Sequence, residues 1–132
     1  MKKLDELKTD RDVFEFIKNH LLEQGERSLM DNELTCAYLG QFGKKCAVGV
    51  LIREDIYHPS IEEKPVNHSL LRSAITKSVP NWKINTEMLS ELQSIHDGTS
   101  DYDWRMVQWK LDEFEVDKLL GENYLKWENE DV

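Results

Sequence analysis

A chain of 132 residues is long enough to bury one core of moderate size and too short for two, so a single domain spanning 1–132 is expected. Its net charge of −9 argues against direct contact with nucleic acid or with an anionic membrane surface, both of which require basic patches. No apolar run approaches the roughly 18 residues of a membrane span, and the opening MKKLDELKTD lacks the apolar centre of a secretory signal, which points to the cytoplasm and to reduced cysteines.

Thr9, with Asp12 three residues on, is a capping-box variant and predicts a helix over 10–24. Asp10, Asp12 and Glu15 are well placed against its N-terminal dipole. Val13, Phe14, Ile17 and Leu21 recur at helical spacing as the inward face, and Gly25 supplies the left-handed residue that ends the run. Residues 26–33 are polar and irregular and read as a connector.

The central stretch, 34–57, holds both cysteines and three of the six glycines. Leu34, Cys36, Tyr38 and Leu39 read as a short half-buried strand, and Gly40-Gln41-Phe42-Gly43 as a tight reversal, so a β-hairpin over 34–48 is expected. The apolar run from Cys46 to Ile52 is too short for periodicity to separate strand from helical turn. Ala47, Gly49 and the charged Arg53-Glu54-Asp55 favour a short helix from near Cys46. Glycine inside a helix costs about 1 kcal/mol relative to alanine, so Gly49 implies another backbone packed closely against it.

Residues 58–67 carry two prolines and form a surface loop. Asn67 caps a predicted helix over 68–78 with Leu70, Leu71, Ala74, Ile75 and Ser78 along one face, and Pro80 stops it. Asn85 or Thr86 opens the next helix, 86–97, where Met88, Leu89, Leu92 and Ile95 point inward before Gly98. Ser100, with Asp103, opens the last helix, over 101–120. These elements define an α+β class, mainly helical with one β-hairpin, and an all-helical domain with the hairpin reduced to a loop is the nearest alternative.

The last helix is apolar on two sides. Trp104, Val107, Leu111 and Phe114 share one face, while Tyr102, Met106, Trp109, Val116 and Leu120 fall nearly opposite. The tail, about 121–132, can fold Tyr124, Leu125 and Trp127 onto that second face, or the face is a binding surface with Tyr124 and Trp127 joining it. From Asp112 onward there are eight acidic residues against two lysines, so such a surface would suit a basic partner.

Two patterns carry a resemblance: C-x-Y-x-G-x-x-G-x-x-C-A-V-G-x-L-I, from Cys36 to Ile52, and L-x-x-L-Q-x-I-H-D, from Leu89 to Asp97. In these the chain resembles a family of small uncharacterised proteins encoded by bacteriophages and prophages. The resemblance implies a viral accessory origin and assigns no catalytic residue.

Chemistry has few footholds. Cys46 at a helix N-terminus, with His96 as base and Asp97 as orienting carboxylate, would make a Cys-His arrangement, though a cysteine between apolar neighbours is commonly packing. Zinc could draw on Cys36, Cys46, His58 and His96, but the nine-residue gap between the cysteines lacks the usual short ligand pair. No cofactor is expected. The sequence therefore favours a non-enzymatic phage accessory protein of the host cytoplasm that binds and modulates a basic host protein, with inhibition the favoured mode and a protein acting on nucleic acid among the options. A small Cys-His enzyme is the alternative, and a homodimer through the second apolar face is a further possibility.

Overall fold

The computed structural model describes residues 2–32 and 35–119. Thr9 Oγ1 accepts the Asp12 N–H at 3.1 Å, and the Asp12 carboxylate accepts the Lys8 and Thr9 N–H groups at 3.0 and 3.3 Å, closing the capping box. Helix α1 follows over Asp10–Gln24 and ends where Gly25 adopts φ 74°, with Val13, Phe14, Ile17 and Leu21 buried.

Helices α2, Ser69–Ser78, and α3, Thr86–Asp97, lie where capping and periodicity place them. The cap of α2 is His68, whose Nδ1 accepts the Leu70 N–H at 3.1 Å, and not Asn67. Leu70 is turned outward, and in α3 the last buried position belongs to His96, with Ile95 half-buried beside it. Asn85 caps α3 through its Oδ1, which accepts the Met88 N–H at 3.0 Å.

The last helix is not continuous over 101–120. Ser100 caps a 3₁₀ turn at Asp101–Asp103, α4 occupies Met106–Phe114, and a π-helical turn covers Glu115–Leu119. Two anchors impose the tight start: the Asp101 carboxylate accepts the Arg27 N–H at 2.7 Å, and the Trp104 indole donates to the Leu21 carbonyl at 3.1 Å. Further along, the rings of Phe14 and Phe114 stack with centroids 5.7 Å apart, so α4 lies against α1 on one side and α3 on the other. Arg11–Glu115 at 2.9 Å and Lys18–Asp112 at 3.2 Å bridge the α1–α4 seam, where solvent-screened pairs contribute at most about 1 kcal/mol each.

The β-hairpin expected over 34–48 does not form, and the class is mainly helical instead of α+β. The chain does reverse at Gln41–Gly43, a 3₁₀ turn, but no β-strand occurs among the described residues. Pairing is reduced to two isolated bridges, Leu29 with Cys36 and Leu39 with Lys45. Side chains from distant segments take the donors that a ladder would use. Glu62 accepts the Tyr38 and Leu39 N–H groups at 2.9 and 3.1 Å, Gln24 accepts that of Lys45 at 2.9 Å, and Gln93 accepts that of Val48 at 3.1 Å. In place of a short helix from Cys46 there is a 3₁₀ turn at Gly49–Leu51. Gly49 does meet a backbone, since a Cβ there would lie 1.9 Å from the Tyr38 carbonyl oxygen.

Candidate functional site

The two patterned segments, Cys36–Ile52 and Leu89–Asp97, meet in one polar network at the C-terminal end of α3. Asp97 Oδ1 lies 2.8 Å from Gln93 Nε2 and 2.8 Å from His96 Nδ1, while Gln93 Oε1 holds the Val48 N–H. His96 is buried, and its Nε2 accepts the Ser28 N–H at 2.9 Å. An acceptor at Nε2 and a carboxylate at Nδ1 together select the neutral tautomer with its proton on Nδ1. The ring also meets the edge of Trp104, with centroids 5.7 Å apart.

Of the sequence-predicted catalytic residues, His96 and Asp97 are joined as a base and its orienting carboxylate would be. The nitrogen that a base would use, however, is occupied by a main-chain donor, and Cys46 does not complete the arrangement. Cys46 is fully buried, its sulfur accepts the Gly49 N–H at 3.3 Å, and burial pushes its thiol up to about 12. Such a thiol carries a negligible thiolate fraction at neutral pH. In the native protein Cys46 should therefore resist a thiol reagent at pH 7 and become reactive only on unfolding, as read by mass spectrometry after brief labelling. Fast, selective modification of native Cys46 would contradict this assignment.

The proposed zinc ligands separate. Cys36, His96 and Asp97 place one ligand atom each within 4.8 Å of one another, and neither Cys46 nor His58 is in that group. His58 caps an exposed turn, its Nδ1 accepting the Ser60 N–H at 3.1 Å. A metal on His96 Nδ1 would leave the imidazole proton on Nε2, facing the Ser28 N–H, so two donors would oppose each other. Burial and the neighbouring Asp97 charge push the Cys36 thiol up to about 11, which further disfavours a thiolate ligand. A recess of about 430 Å³ opens beside this network, walled by Cys36, Tyr38, Gln93 and Asp97. Two of its polar walls are already engaged, Tyr38 donating its hydroxyl to the Lys64 carbonyl and Gln93 bridging Val48 and Asp97. The patterned residues here hold two loops to a helix.

The outer side of α4 is different. Trp104, Val107, Leu111 and Phe114 are buried as expected, and the remaining apolar residues are exposed: Met106 39% and Trp109 58% on α4, Tyr102 92% in the 3₁₀ turn before it and Val116 59% in the π turn after it. Exposed acidic residues, Asp101, Asp103, Asp112 and Glu113, flank them in the chain. Among the basic neighbours, Lys110 turns away to Thr99 Oγ1 at 2.7 Å and Lys118 lies 3.9 Å from Glu91, while Arg105 is exposed. Leu120, Tyr124 and Trp127, also expected at this surface, lie outside the described residues.

No family model matches the chain, and neither a curated protein nor a solved structure is similar to it. Among the described residues, no helix is long and apolar enough to cross a membrane. Three features escaped the sequence reading: Glu62 as the partner of two backbone donors, Asp10 as a buried carboxylate, and Phe42 as an exposed ring. Only Phe42 left a signal, an aromatic set between two glycines of a reversal.

Proposed function

We propose that this chain is a binding protein that docks a basic partner protein on the outer face of α4. The observation that carries the reading is the exposure of Met106 and Trp109 on α4, of Tyr102 in the 3₁₀ turn before it and of Val116 in the π turn after it, while Val107, Leu111 and Phe114 are spent on the core, with the exposed carboxylates of Asp103 and Glu113 nearby in the chain. Large aromatics at the centre of a patch with charge at its rim match the anatomy of protein interfaces. The net charge of −9 favours a cationic partner and speeds encounter with it. Joined to the resemblance to phage proteins, this supports an accessory protein working in the host cytoplasm, inhibiting a host protein such as an enzyme that acts on nucleic acid.

Trp109 is the anchor to test. Trp109→Ala should weaken capture of the partner from host extract by on the order of 2 kcal/mol. Because the side chain is 58% exposed, the cost to folding should stay below about 1 kcal/mol. Denaturant unfolding and affinity capture of the same variant give both numbers, and a large stability loss with unchanged capture would end this reading.

A further inference from the structure

We propose that the outer face of α2 is a cationic surface that takes the chain's own acidic segment, residues 120–132. Between Lys64 and Thr86 the chain carries Lys64, Arg72, Lys77 and Lys83 and no acid, although the whole has 26 acidic residues against 17 lysines and arginines. Arg72 and Lys77 are exposed on α2, and Lys83 is exposed just beyond it. Neither Arg72 nor Lys77 forms an ion pair with a described residue, whereas on the α1–α4 seam Arg11 and Lys18 are each matched by a carboxylate.

The segment has the opposite balance, Glu122, Glu128, Glu130 and Asp131 against Lys126. Where it sets out is fixed by the fold. Glu115 pairs with Arg11 at 2.9 Å and Lys118 Nζ lies 3.9 Å from Glu91, so the helical run that ends at Leu119 stops beside the starts of α1 and α3. Asp10, next to Arg11, receives the Trp82 indole and the Asn85 amide at 2.9 Å each, which brings the stretch just after α2 to the same place. The chain from 120 to 132 spans up to about 43 Å when extended, and a helix as long as α2 measures about 15 Å. The segment can therefore pass Lys83 and run along α2, where Leu70, 42% exposed, offers an apolar contact to Tyr124, Leu125 or Trp127.

Tethering selects this occupant over a separate one. Exposed ion pairs are individually weak, so a few of them hold only an occupant that is already concentrated nearby. A segment of the same chain is present at an effective concentration on the order of millimolar. Nucleic acid, the other polyanion that suits a cationic helix face, would have to approach a chain of net charge −9 and lay its phosphates near the exposed carboxylates of Glu63 and Glu87, which bound the basic stretch on either side. The arrangement leaves the outer face of α4 open, and it does not depend on the reading of that face.

Carbodiimide cross-linking, which joins a lysine to a carboxylate only where the two touch, tests the proposal on the full chain. Unlabelled and nitrogen-15 copies are mixed so that mass spectrometry separates links within a copy from links between copies. Links within a copy should join Lys77 to Glu128, Glu130 or Asp131, and their yield should fall on the order of fivefold between about 20 mM and about 1 M sodium chloride, as the Debye length shrinks to about 3 Å. Arg72→Glu, a change at an exposed side chain, should lower the same links on the order of threefold and leave the thermal midpoint at the wild-type value. The absence of Lys77 links within a copy would overturn the proposal, as would links formed only between copies or a yield that neither salt nor Arg72→Glu reduces. Retention of a single-stranded oligonucleotide in place of those links, lost with Arg72→Glu, would assign the face to nucleic acid and overturn it too.

Discussion

Replacing Gly49 with alanine is expected to destabilise the fold by on the order of 4 kcal/mol, far more than one added methyl group costs in an ordinary core. The new Cβ would lie 1.9 Å from the Tyr38 carbonyl oxygen and 2.7 Å from the carbonyl carbon, so what it strikes is main chain, not the movable end of a side chain. Neither partner can withdraw cheaply. Tyr38 is held by Glu62 at its N–H and by the Lys64 carbonyl at its hydroxyl, and Gly49 by its N–H on Cys46 Sγ and its carbonyl on the Ile52 N–H at 3.1 Å. Helix propensity alone favours alanine by about 1 kcal/mol, so the sign of the measured change separates close approach from local preference. Urea unfolding decides it, and a loss under about 1 kcal/mol would mean that the Tyr38 segment yields.

Asp10→Ala should cost about 3 kcal/mol. The carboxylate is fully buried in the first turn of α1, where Oδ1 accepts the Trp82 indole N–H at 2.9 Å and Oδ2 accepts the Asn85 side-chain amide at 2.9 Å. Asn85 in turn caps α3, so one side chain ties together the start of α1, the chain between α2 and α3, and the start of α3. Alanine would strand a buried indole donor and free the cap residue, and it would remove a negative charge from a helix N-terminus. Asp10→Asn should fall between, since it keeps the shape but turns one acceptor toward a donor. Denaturant titration followed by tryptophan fluorescence measures both, and a wild-type midpoint for Asp10→Ala would show that water replaces these bonds.

Helix positions were legible because their signals are local. Thr9 with Asp12, Gly25, Asn85 and the spacing of Val13, Phe14, Ile17 and Leu21 each act within one or two turns. The hairpin misled for the opposite reason. Leu39 and Lys45 do approach across the reversal, but whether a ladder forms depends on Gln24, Glu62 and Gln93, polar residues in other segments that carry no periodic signature. The outer stripe of α4 could be read from its helical period, though the tight turn before it and the π turn after it could not. The polar network was half legible, because His96 and Asp97 are adjacent in sequence whereas Ser28, which occupies Nε2, lies 68 residues away. Phe42 was half legible, because its place between Gly40 and Gly43 marks a reversal while nothing in the residue order announces that the phenylalanine itself takes the positive φ.

Between Gly25 and His68 a series of short backbone-bonded turns is tied to the helices by side chains reaching in from outside, and this bears on how such a protein can diverge. A strand ladder tolerates sequence drift because any residue but proline supplies the same main-chain groups. Here the interior of the loops and the identities of Gln24, Gln93 and His96 on the surrounding helices form one specification, joined at Glu62 from within. Drift at any of these positions would have to be matched at the loop it holds, so in related proteins they should persist or change as a set, while the outer side of α4 is free of that constraint.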